Sequence, residues 1–353
     1  MEENNNDTAI SAMNDAFAKH WYFRNAPEGP VDENTLELVT EPRESMPAGG
    51  VRVAVLFLSL DATNRVWLSD WDIYMEPVRV GDRMRGFILG EVIESENADL
   101  PLGSLVTGLS TWSSEVVGTG EEFAPFYDGH CDDLAVGFGA MAVAGPTALH
   151  GLVSVAKVKQ GDVVLVSAAA GAVGQLAGQI AKRMGCRTIG IAGGEDKCHR
   201  LLTRFAYDHA VDYKKGNLVE QLNEAAPYGV DVLFENVGGE VLDAGLSVIN
   251  DFGRVVVCGL ISSYNARDPV PGPYMFRNVI MRRLRIEGFV ILDHLEHYPA
   301  YQKQVGQWLK DKSIQFDVHT VEGIDQAAIA MNMLYSGENR GKLMVSVSDR
   351  TVR

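Results

Sequence analysis

The chain has 353 residues, of which 46% are hydrophobic, and a formal net charge of −16. This length exceeds that of a typical single domain, so two domains are expected. The acidity argues against nucleic acid as a partner, because neutralising phosphates requires clustered Lys and Arg. Four cysteines without a CxxC pair fit neither a disulfide framework nor a structural zinc site, and we expect a cytoplasmic location.

The N-terminal part of the chain divides into three segments. Residues 1–20 are polar, do not resemble a secretory signal, and are expected to form a flexible extension. Residues 21–141 contain short strands and turns, most clearly at 51–60 and 87–93, and are predicted to be β-rich. The uncharged stretch 134–156 contains several glycines and a proline, which suit a buried segment better than a membrane span. No membrane association is therefore expected.

A strand followed by a glycine-rich turn begins the second half of the chain. The apolar run 163–166 predicts a strand that is buried on both faces of a parallel sheet. Ala168, Gly171 and Gly174 then repeat every three residues before a helical pattern. Small residues allow close approach to a pyrophosphate, which free N–H groups at the helix N-terminus can bind. This indicates a dinucleotide site, although an ordinary βα connection can show the same spacing.

The next predicted strand, 187–192, bears on the choice of cofactor. An NAD-binding protein would place an acid at its end to bind the ribose 2′-hydroxyl. Here Gly193 and Gly194 follow the strand, and Lys197 lies three residues further on. Room for a 2′-phosphate, with Lys197 as its cation, favours NADP. A solvated lysine at the start of a helix is an equally good interpretation of the local sequence.

The remaining pattern predicts the fold class, which is α/β. Further strands are expected at 210–212, 230–234, 253–258 and 284–291. Together with the two strands above they make six, the number in a doubly wound Rossmann domain with a parallel sheet. The tail from about residue 314, with a helix near 326–335 and a strand at 342–347, is expected to return to the first domain.

Several motifs occur in a specific order along the chain. They are AAAGAVG at 168–174, AGGEDK at 192–197, FENVGG at 234–239, CGLISSYN at 258–265, PGP at 271–273 and GENRGK at 337–342. From residue 21 to 347 the sequence resembles the zinc-free medium-chain dehydrogenase/reductases that reduce alkenal and enone double bonds, which include prostaglandin reductases and bacterial curcumin reductases.

The resemblance implies a domain arrangement and a cofactor. A GroES-like substrate domain would comprise residues 21–141 and 315–353, and a Rossmann domain would comprise residues 142–314. NADP(H) would bind in the cleft between them, and the protein would form a homodimer.

The resemblance also implies the cofactor-binding residues. The pyrophosphate turn would be formed by Ala170, Gly171, Ala172, Val173 and Gly174, and the 2′-phosphate site by Gly194, Lys197 and Tyr213. The nicotinamide half would be bound by Asn236, Cys258, Gly259, Leu260, Ile261, Ser262, Tyr264, Phe289, Val290 and Ile291, and Asn339 would reach the cofactor from the tail. Taken alone, Tyr213 could be a strand-end residue, and Asn236 and Asn339 turn or loop residues.

The expected chemistry requires no metal. Zinc-dependent relatives carry a Cys and a Gly-His-Glu element in the first domain, whereas this chain has Arg85, Gly86 and Phe87 there and no cysteine before Cys131. Hydride addition to the β carbon of an enone or enal leaves an enolate, which the site must stabilise. Tyr264 is the predicted donor, acting with the ribose 2′-hydroxyl; alternatively, it only positions the ribose.

The substrate pocket is expected to differ from that of the best-known members. Their Leu-Ser-Leu-Asp-Pro-Tyr-Met-Arg pattern is LSLDATNR at 58–65 here, and Leu149 replaces a common tyrosine. The predicted pocket residues are Asn64, Tyr74, Met75 and Tyr264. A quinone oxidoreductase of the same superfamily and a catalytically silent nucleotide-binding protein remain alternative functions.

Overall fold

The computed structural model describes residues 16–126 and 131–347. They divide into two compact units. The first comprises residues 16–126, 320–334 and 343–347, and the second comprises residues 131–319 and 335–342.

The strands are numbered here in chain order. They are β1 (Phe17–Phe23), β2 (Leu36–Pro42), β3 (Val51–Ser59), β4 (Arg85–Ser95), β5 (Leu105–Thr111), β6 (Glu115–Gly118), β7 (Ala124–Pro125), β8 (Val163–Val166), β9 (Arg187–Ala192), β10 (His209–Asp212), β11 (Val230–Glu235), β12 (Ile249–Val257), β13 (Arg285–Gly288), β14 (Val318–Glu322) and β15 (Lys342–Ser346).

The helices are numbered in the same way. They are α1 (Thr63–Val66), α2 (Leu134–Ala156), α3 (Ala172–Arg183), α4 (Glu195–Thr203), α5 (Leu218–Ala225), α6 (Gly239–Val248), α7 (Asn278–Met281), α8 (Tyr298–Lys310), α9 (Ala327–Met331) and α10 (Met333–Ser336).

The first unit is built on antiparallel strands, as its sequence pattern predicts. Its main sheet has the order β14-β15-β3-β4-β5-β7, and β6 pairs with β3. Strand β3 is buried along almost its whole length because it is surrounded by other strands. Strands β1 and β2 form a separate antiparallel pair. Since β1 begins at Phe17, it includes residues 17–20 of the expected extension, and residues 1–15 lie outside the described part of the chain.

The second unit contains the predicted Rossmann sheet. Its six strands have the order β10-β9-β8-β11-β12-β13 and every pairing is parallel. This confirms the predicted fold class and the six predicted strands. Strand β13 ends at Gly288, three residues earlier than expected, because the following segment leaves the sheet and forms a 3₁₀ helix from Ile291 to His297. The chain reverses its order at β8 and β11, where open α/β sheets bind ligands.

The uncharged stretch 134–156 forms a single helix, α2. By length and composition it could cross a membrane, but 83% of its most apolar window is buried within the protein. Two π-helical segments interrupt its α-helical turns. A Cβ on Gly145 would lie 2.9 Å from the Val305 side chain, so the glycine permits close packing against α8. This helix therefore has the properties of a core helix.

Helix α3 is held in place by Tyr207. The Tyr207 hydroxyl donates to the carbonyl of Gly174 over 2.6 Å, and its ring lies against Gly178 so closely that a Cβ there would overlap the ring. Tyr207 is buried, so it has little room to move. The position of the first turn of α3 thus depends on a glycine one turn further along.

We expect Gly178→Ala to reduce the free energy of unfolding by about 1–3 kcal/mol, because the added methyl group overpacks the contact with Tyr207. Urea denaturation measures this change. Gly272→Ala is the matched control, since a Cβ at Gly272 meets nothing within 4 Å. Equal stability of the two variants would contradict the packing argument.

Candidate dinucleotide site

The turn after β8 has the geometry of an anion-binding turn. Ala168 has a φ of +47°, and its carbonyl accepts a hydrogen bond from the Gly171 amide over 2.9 Å. A Cβ on Gly174 would lie 2.7 Å from the Cα of Ala169, so α3 can approach this turn only because residue 174 is glycine. Residues 170–173 are half-buried, and the first amides of α3 lie here. The structure thus places the five predicted pyrophosphate residues in one turn, and residues 170–173 of this turn are partly exposed.

The predicted 2′-phosphate residues Gly194 and Tyr213 are brought together by Asp212. One carboxylate oxygen of Asp212 accepts from the amides of Gly194 over 2.8 Å and Lys214 over 3.0 Å. The Tyr213 ring lies over Gly193, where a Cβ would come within 2.8 Å of it. Tyr213 is 44% exposed, so its hydroxyl can contact a ligand.

Lys197 lies within a group of cations. Its ammonium donates to the carbonyl of Gly337 over 2.7 Å. Burial, followed by the positive charges of Lys214, Arg200 and Arg340, holds its pKa below the usual value, although the charge of Asp196 acts in the opposite direction. A cluster with this excess of positive charge suits a phosphate ligand. Sequence analysis identified Lys197 but missed Lys214 and Arg340, which are adjacent to the predicted residues Tyr213 and Asn339.

Residues 315–319 and 335–342 group with the second unit, whereas the resemblance implied that the whole tail from 315 belongs with the first domain. Segment 335–342 is bonded to the second unit at both ends, because the Gly337 carbonyl accepts from Lys197 over 2.7 Å and the Lys342 amide donates to the Asp317 carbonyl over 2.9 Å. Asn339 is 8% exposed, and its side-chain amide donates to the carbonyl of Gly341 over 2.8 Å. Asn339 therefore lies on the same unit as the cation group, while its contact with a cofactor stays a prediction.

Asn236 follows β11 and is joined to the end of β8. Its side-chain amide donates to the carbonyl of Ser167 over 2.8 Å, and its backbone amide donates to the Ser167 hydroxyl over 2.7 Å. Ser167 is fully buried. These bonds connect the ends of the neighbouring strands β8 and β11 and orient the side chain of Asn236.

The loop 258–264 brings Tyr264 close to Asn236. The Tyr264 hydroxyl accepts from the amide of Leu260 over 2.9 Å. A Cβ on Gly259 would lie 3.3 Å from that hydroxyl and 3.5 Å from the carbonyl oxygen of Asn236. Cys258, Gly259, Leu260 and Ile261 are half-buried, and Ser262 is exposed. The structure thus gathers the predicted nicotinamide-side residues of this loop around the ends of β11 and β12.

The segment from Phe289 to Ile291 lies after β13. Phe289 and Val290 are half-buried, and Ile291 is buried. The Phe289 ring contacts His150 with ring centroids 5.4 Å apart, and His150 stacks on His294 at 4.0 Å. Burial and the neighbouring histidines lower the pKa of His150. His150 is thus a packed helix residue.

Sequence analysis missed the carboxyl group of Glu235, which is completely buried beside Asn236. One of its oxygens accepts from the amides of Val237 and Gly238, each over 2.6 Å. Burial raises its pKa to about 7, although these amide bonds and the nearby Ser167 hydroxyl favour the charged form. An acid at the end of a buried apolar strand is the sequence signal that could have revealed it.

The predicted pocket residues of the first unit have different environments. Asn64 is 1% exposed; its amide oxygen accepts from the Asp61 amide over 2.7 Å, and its amide nitrogen donates to the Arg85 carbonyl over 3.2 Å. Met75 packs on the core. Tyr74 is 47% exposed, and its hydroxyl accepts from the Trp67 indole over 3.0 Å. Of these three residues, only Tyr74 offers a large exposed face.

The residues at the zinc-ligand position of related enzymes do not suit a metal ion. Arg85 begins β4, and its guanidinium donates to the carbonyl of Glu76 over 2.7 Å. In residues 16–126 and 131–347 no group of three or more His, Cys, Asp or Glu side chains could bind a metal ion.

Comparison with known proteins places the chain in a family. Residues 19–126 match the model described as "N-terminal domain of oxidoreductase", and residues 172–309 match "Zinc-binding dehydrogenase". The NADPH-dependent curcumin reductase of Escherichia coli is 34% identical over 94% of this chain and 97% of its own length. The chain belongs to the zinc-free medium-chain dehydrogenase/reductases that act on alkenal and enone double bonds. This confirms the resemblance identified from the motifs.

Two further relatives support this assignment. Prostaglandin reductase 1 of Bos taurus is 34% identical over 93% of this chain and 98% of its own length. The crystal structure of CurA from Vibrio vulnificus in complex with NADPH has a TM-score of 0.89 at 32% identity, covering 94% of this chain and 100% of that one.

We expect Lys197→Ala to raise the KM for NADPH roughly 10- to 100-fold, because a charged hydrogen bond to the 2′-phosphate is lost. The KM for NADH, which lacks this phosphate, should change by less than about twofold on the same reasoning. Steady-state kinetics with both cofactors measures the difference. Lys310→Ala, at an exposed end of α8, is the matched control. Equal losses for NADPH and NADH would refute the 2′-phosphate assignment.

Proposed function

We propose that this protein reduces the C=C bond of α,β-unsaturated ketones and aldehydes with NADPH, without a metal ion. The observation that carries the proposal is the position of the Tyr264 hydroxyl beside Gly259 and Asn236, on the same unit as the cation group around Lys197. The first arrangement suits an oxyanion, and the second suits a 2′-phosphate. Relatives named as curcumin, prostaglandin and 2-alkenal reductases support the choice of substrate class.

The cofactor-binding residues in this proposal are those of the second unit. Residues 170–174 bind the pyrophosphate. Gly194, Lys197 and Tyr213, joined by Lys214 and Arg340, bind the 2′-phosphate. Asn236, the loop 258–264 and the segment 289–291 surround the nicotinamide half, and Asn339 supports it. When bound, NADPH supplies the hydride for the β carbon of the substrate.

Tyr264 stabilises the enolate oxygen in this proposal. Its hydroxyl accepts a hydrogen bond from the Leu260 amide, and a phenolic hydroxyl can donate a hydrogen bond as well as accept one. Accepting one hydrogen bond also polarises the hydroxyl and strengthens its donation. The fixed loop 258–264 keeps this donor in place, so little reorganisation is needed as negative charge develops.

The substrate pocket includes Tyr74, whose ring is exposed while Trp67 anchors its hydroxyl. In this proposal Asn64 and Met75 belong to the same pocket. An aromatic face held in this way suits a flat aryl or bulky apolar enone. Specificity should therefore extend to aryl enones.

The proposed activity is tested by following NADPH oxidation with a panel of aryl enones, alkenals and quinones, with mass spectrometry of the products. A saturated ketone or aldehyde is the expected product. Turnover of quinones alone would favour the alternative of a quinone oxidoreductase. Tight binding of NADPH without oxidation by any substrate would favour a silent nucleotide-binding protein.

We expect Tyr264→Phe to lower kcat on the order of 100-fold, because one oxyanion donor is lost, while the Kd for NADPH stays the same. Stopped-flow kinetics and cofactor fluorescence measure the two quantities. Tyr274→Phe, whose side chain is 83% exposed, is the matched control. An unchanged kcat would leave Tyr264 only a role in positioning the ribose.

The oligomeric state and location in this proposal are a homodimer in the cytoplasm. All four residues of the edge strand β13 are exposed, and Ile280 and Met281 nearby are 71% and 61% exposed. An exposed edge with apolar neighbours favours pairing with a second copy. The four cysteines are free, which suits a reducing compartment.

We expect Ile286→Lys in β13 to convert the dimer to a monomer, because a charge would be buried at the paired edge. Light scattering coupled to size-exclusion chromatography measures the mass. Val80→Lys in the first unit, at a side chain that is 65% exposed, should leave the mass unchanged. A monomeric wild-type protein would contradict the proposed dimer.

A further inference from the structure

Glu235 occupies a central position at the ligand-binding edge of the Rossmann sheet. It is the last residue of β11, which lies between β8 and β12. Its backbone carbonyl accepts from the amides of Cys258 over 2.9 Å and Gly259 over 3.2 Å. It thus joins the turn around Asn236 to the start of the loop that carries Tyr264.

The side chain of Glu235 is fully buried, and no cationic side chain within residues 16–126 and 131–347 pairs with it. Oxygen Oε1 accepts from the amides of Val237 and Gly238. Oxygen Oε2 is buried and has no well-formed hydrogen bond with any residue that the structure describes, although the nearby Ser167 hydroxyl favours the charged form of the carboxyl group. An ionised carboxylate in such a place is costly unless a positive charge comes near it.

The surroundings of Glu235 contain few groups that could titrate with it. Ser167, which directly follows β8, faces Glu235. Burial is the main cause of the raised pKa of Glu235, which is about 7. Cys258 faces it from the end of β12, and burial together with the charge of Glu235 raises the pKa of this thiol to about 12. No charged side chain in the described ranges contributes to the shift in the pKa of Glu235.

The two oxidation states of the cofactor differ in charge at the nicotinamide ring. The ring is positively charged in NADP⁺ and neutral in NADPH. We propose that Glu235 determines the preference of the site between these two states, because its carboxylate form attracts NADP⁺ and its neutral form does not. This inference rests on the proposed function, which places the nicotinamide half beside Asn236 and the loop 258–264.

The sign and size of the effect follow from electrostatics. As the pH rises and Glu235 ionises, the affinity for NADP⁺ should increase, while that for NADPH stays nearly constant. An interaction between unit charges across a partly buried site corresponds to roughly a tenfold change in Kd. Titration of the 2′-phosphate affects both cofactors equally and therefore cancels in the ratio of their Kd values.

The test measures the Kd of NADP⁺ and of NADPH for the full-length protein by calorimetry between pH 6 and pH 8.5. For the wild type, the ratio of the Kd for NADPH to the Kd for NADP⁺ should rise about tenfold across this range. In Glu235→Gln the ratio should be independent of pH and equal to the wild-type ratio at low pH. Glu235→Asp should keep a pH-dependent ratio, because the charge is retained.

The control is Glu224→Gln, which removes one negative charge from an exposed position on α5. Its ratio should follow the pH dependence of the wild type. If the role of Glu235 is purely structural, Glu235→Gln will weaken the binding of both cofactors alike and keep the wild-type ratio of the two Kd values at every pH. That result would overturn the inference. A pH-dependent ratio that persists in Glu235→Gln would overturn it as well.

These outcomes are distinguishable from failure of the proposed function. An enzyme that reduces enones with NADPH but shows a flat wild-type ratio would contradict only the role of Glu235. A protein that binds both cofactors with the expected pH dependence but reduces no enone would support this role and contradict the proposed activity.

Discussion

Gly174 lies so close to the backbone of Ala168 and Ala169 that no side chain fits between them. This contact determines where α3 begins and how closely its N-terminus approaches the end of β8. The hydroxyl of Tyr207 also stabilises this contact, because it donates a hydrogen bond to the carbonyl of Gly174. The accessible turn, with helix amides at its edge, exists only because strand, turn and helix are packed this tightly.

Hydrogen bonds determine how the residues at the ends of the central strands are oriented. Ser167, Asn236 and Glu235 connect β8, β11 and the turn after β11 through short hydrogen bonds in a buried place. Buried networks of this kind orient their members strongly, because an unpaired polar group there is costly. Oxygen Oε2 of Glu235 is the exception, since it has no well-formed hydrogen bond with any residue in the described part of the chain.

The cation group around Lys197 illustrates how one site is assembled from distant segments. Lys197 comes from α4, Lys214 from the turn after β10, and Arg340 from a segment more than a hundred residues later. Burial, followed by their mutual repulsion, depresses the pKa of Lys197, so assembling them costs free energy. A dianionic phosphate would offset that cost, which connects the electrostatics of this cation group with selectivity for NADP(H).

The sequence by itself determined the six parallel strands, the glycine turn and the family, because strand burial and close backbone approach leave local patterns of apolar and small residues. It also indicated Lys197, Asn236 and Tyr264 through ordered motifs. Only the tertiary structure decided that segment 335–342 packs against Lys197, that Lys214 and Arg340 join it, and that Glu235 is buried with a pKa near 7. Contacts between distant segments and the loss of solvent around a carboxyl group depend on three-dimensional packing, which no local pattern encodes.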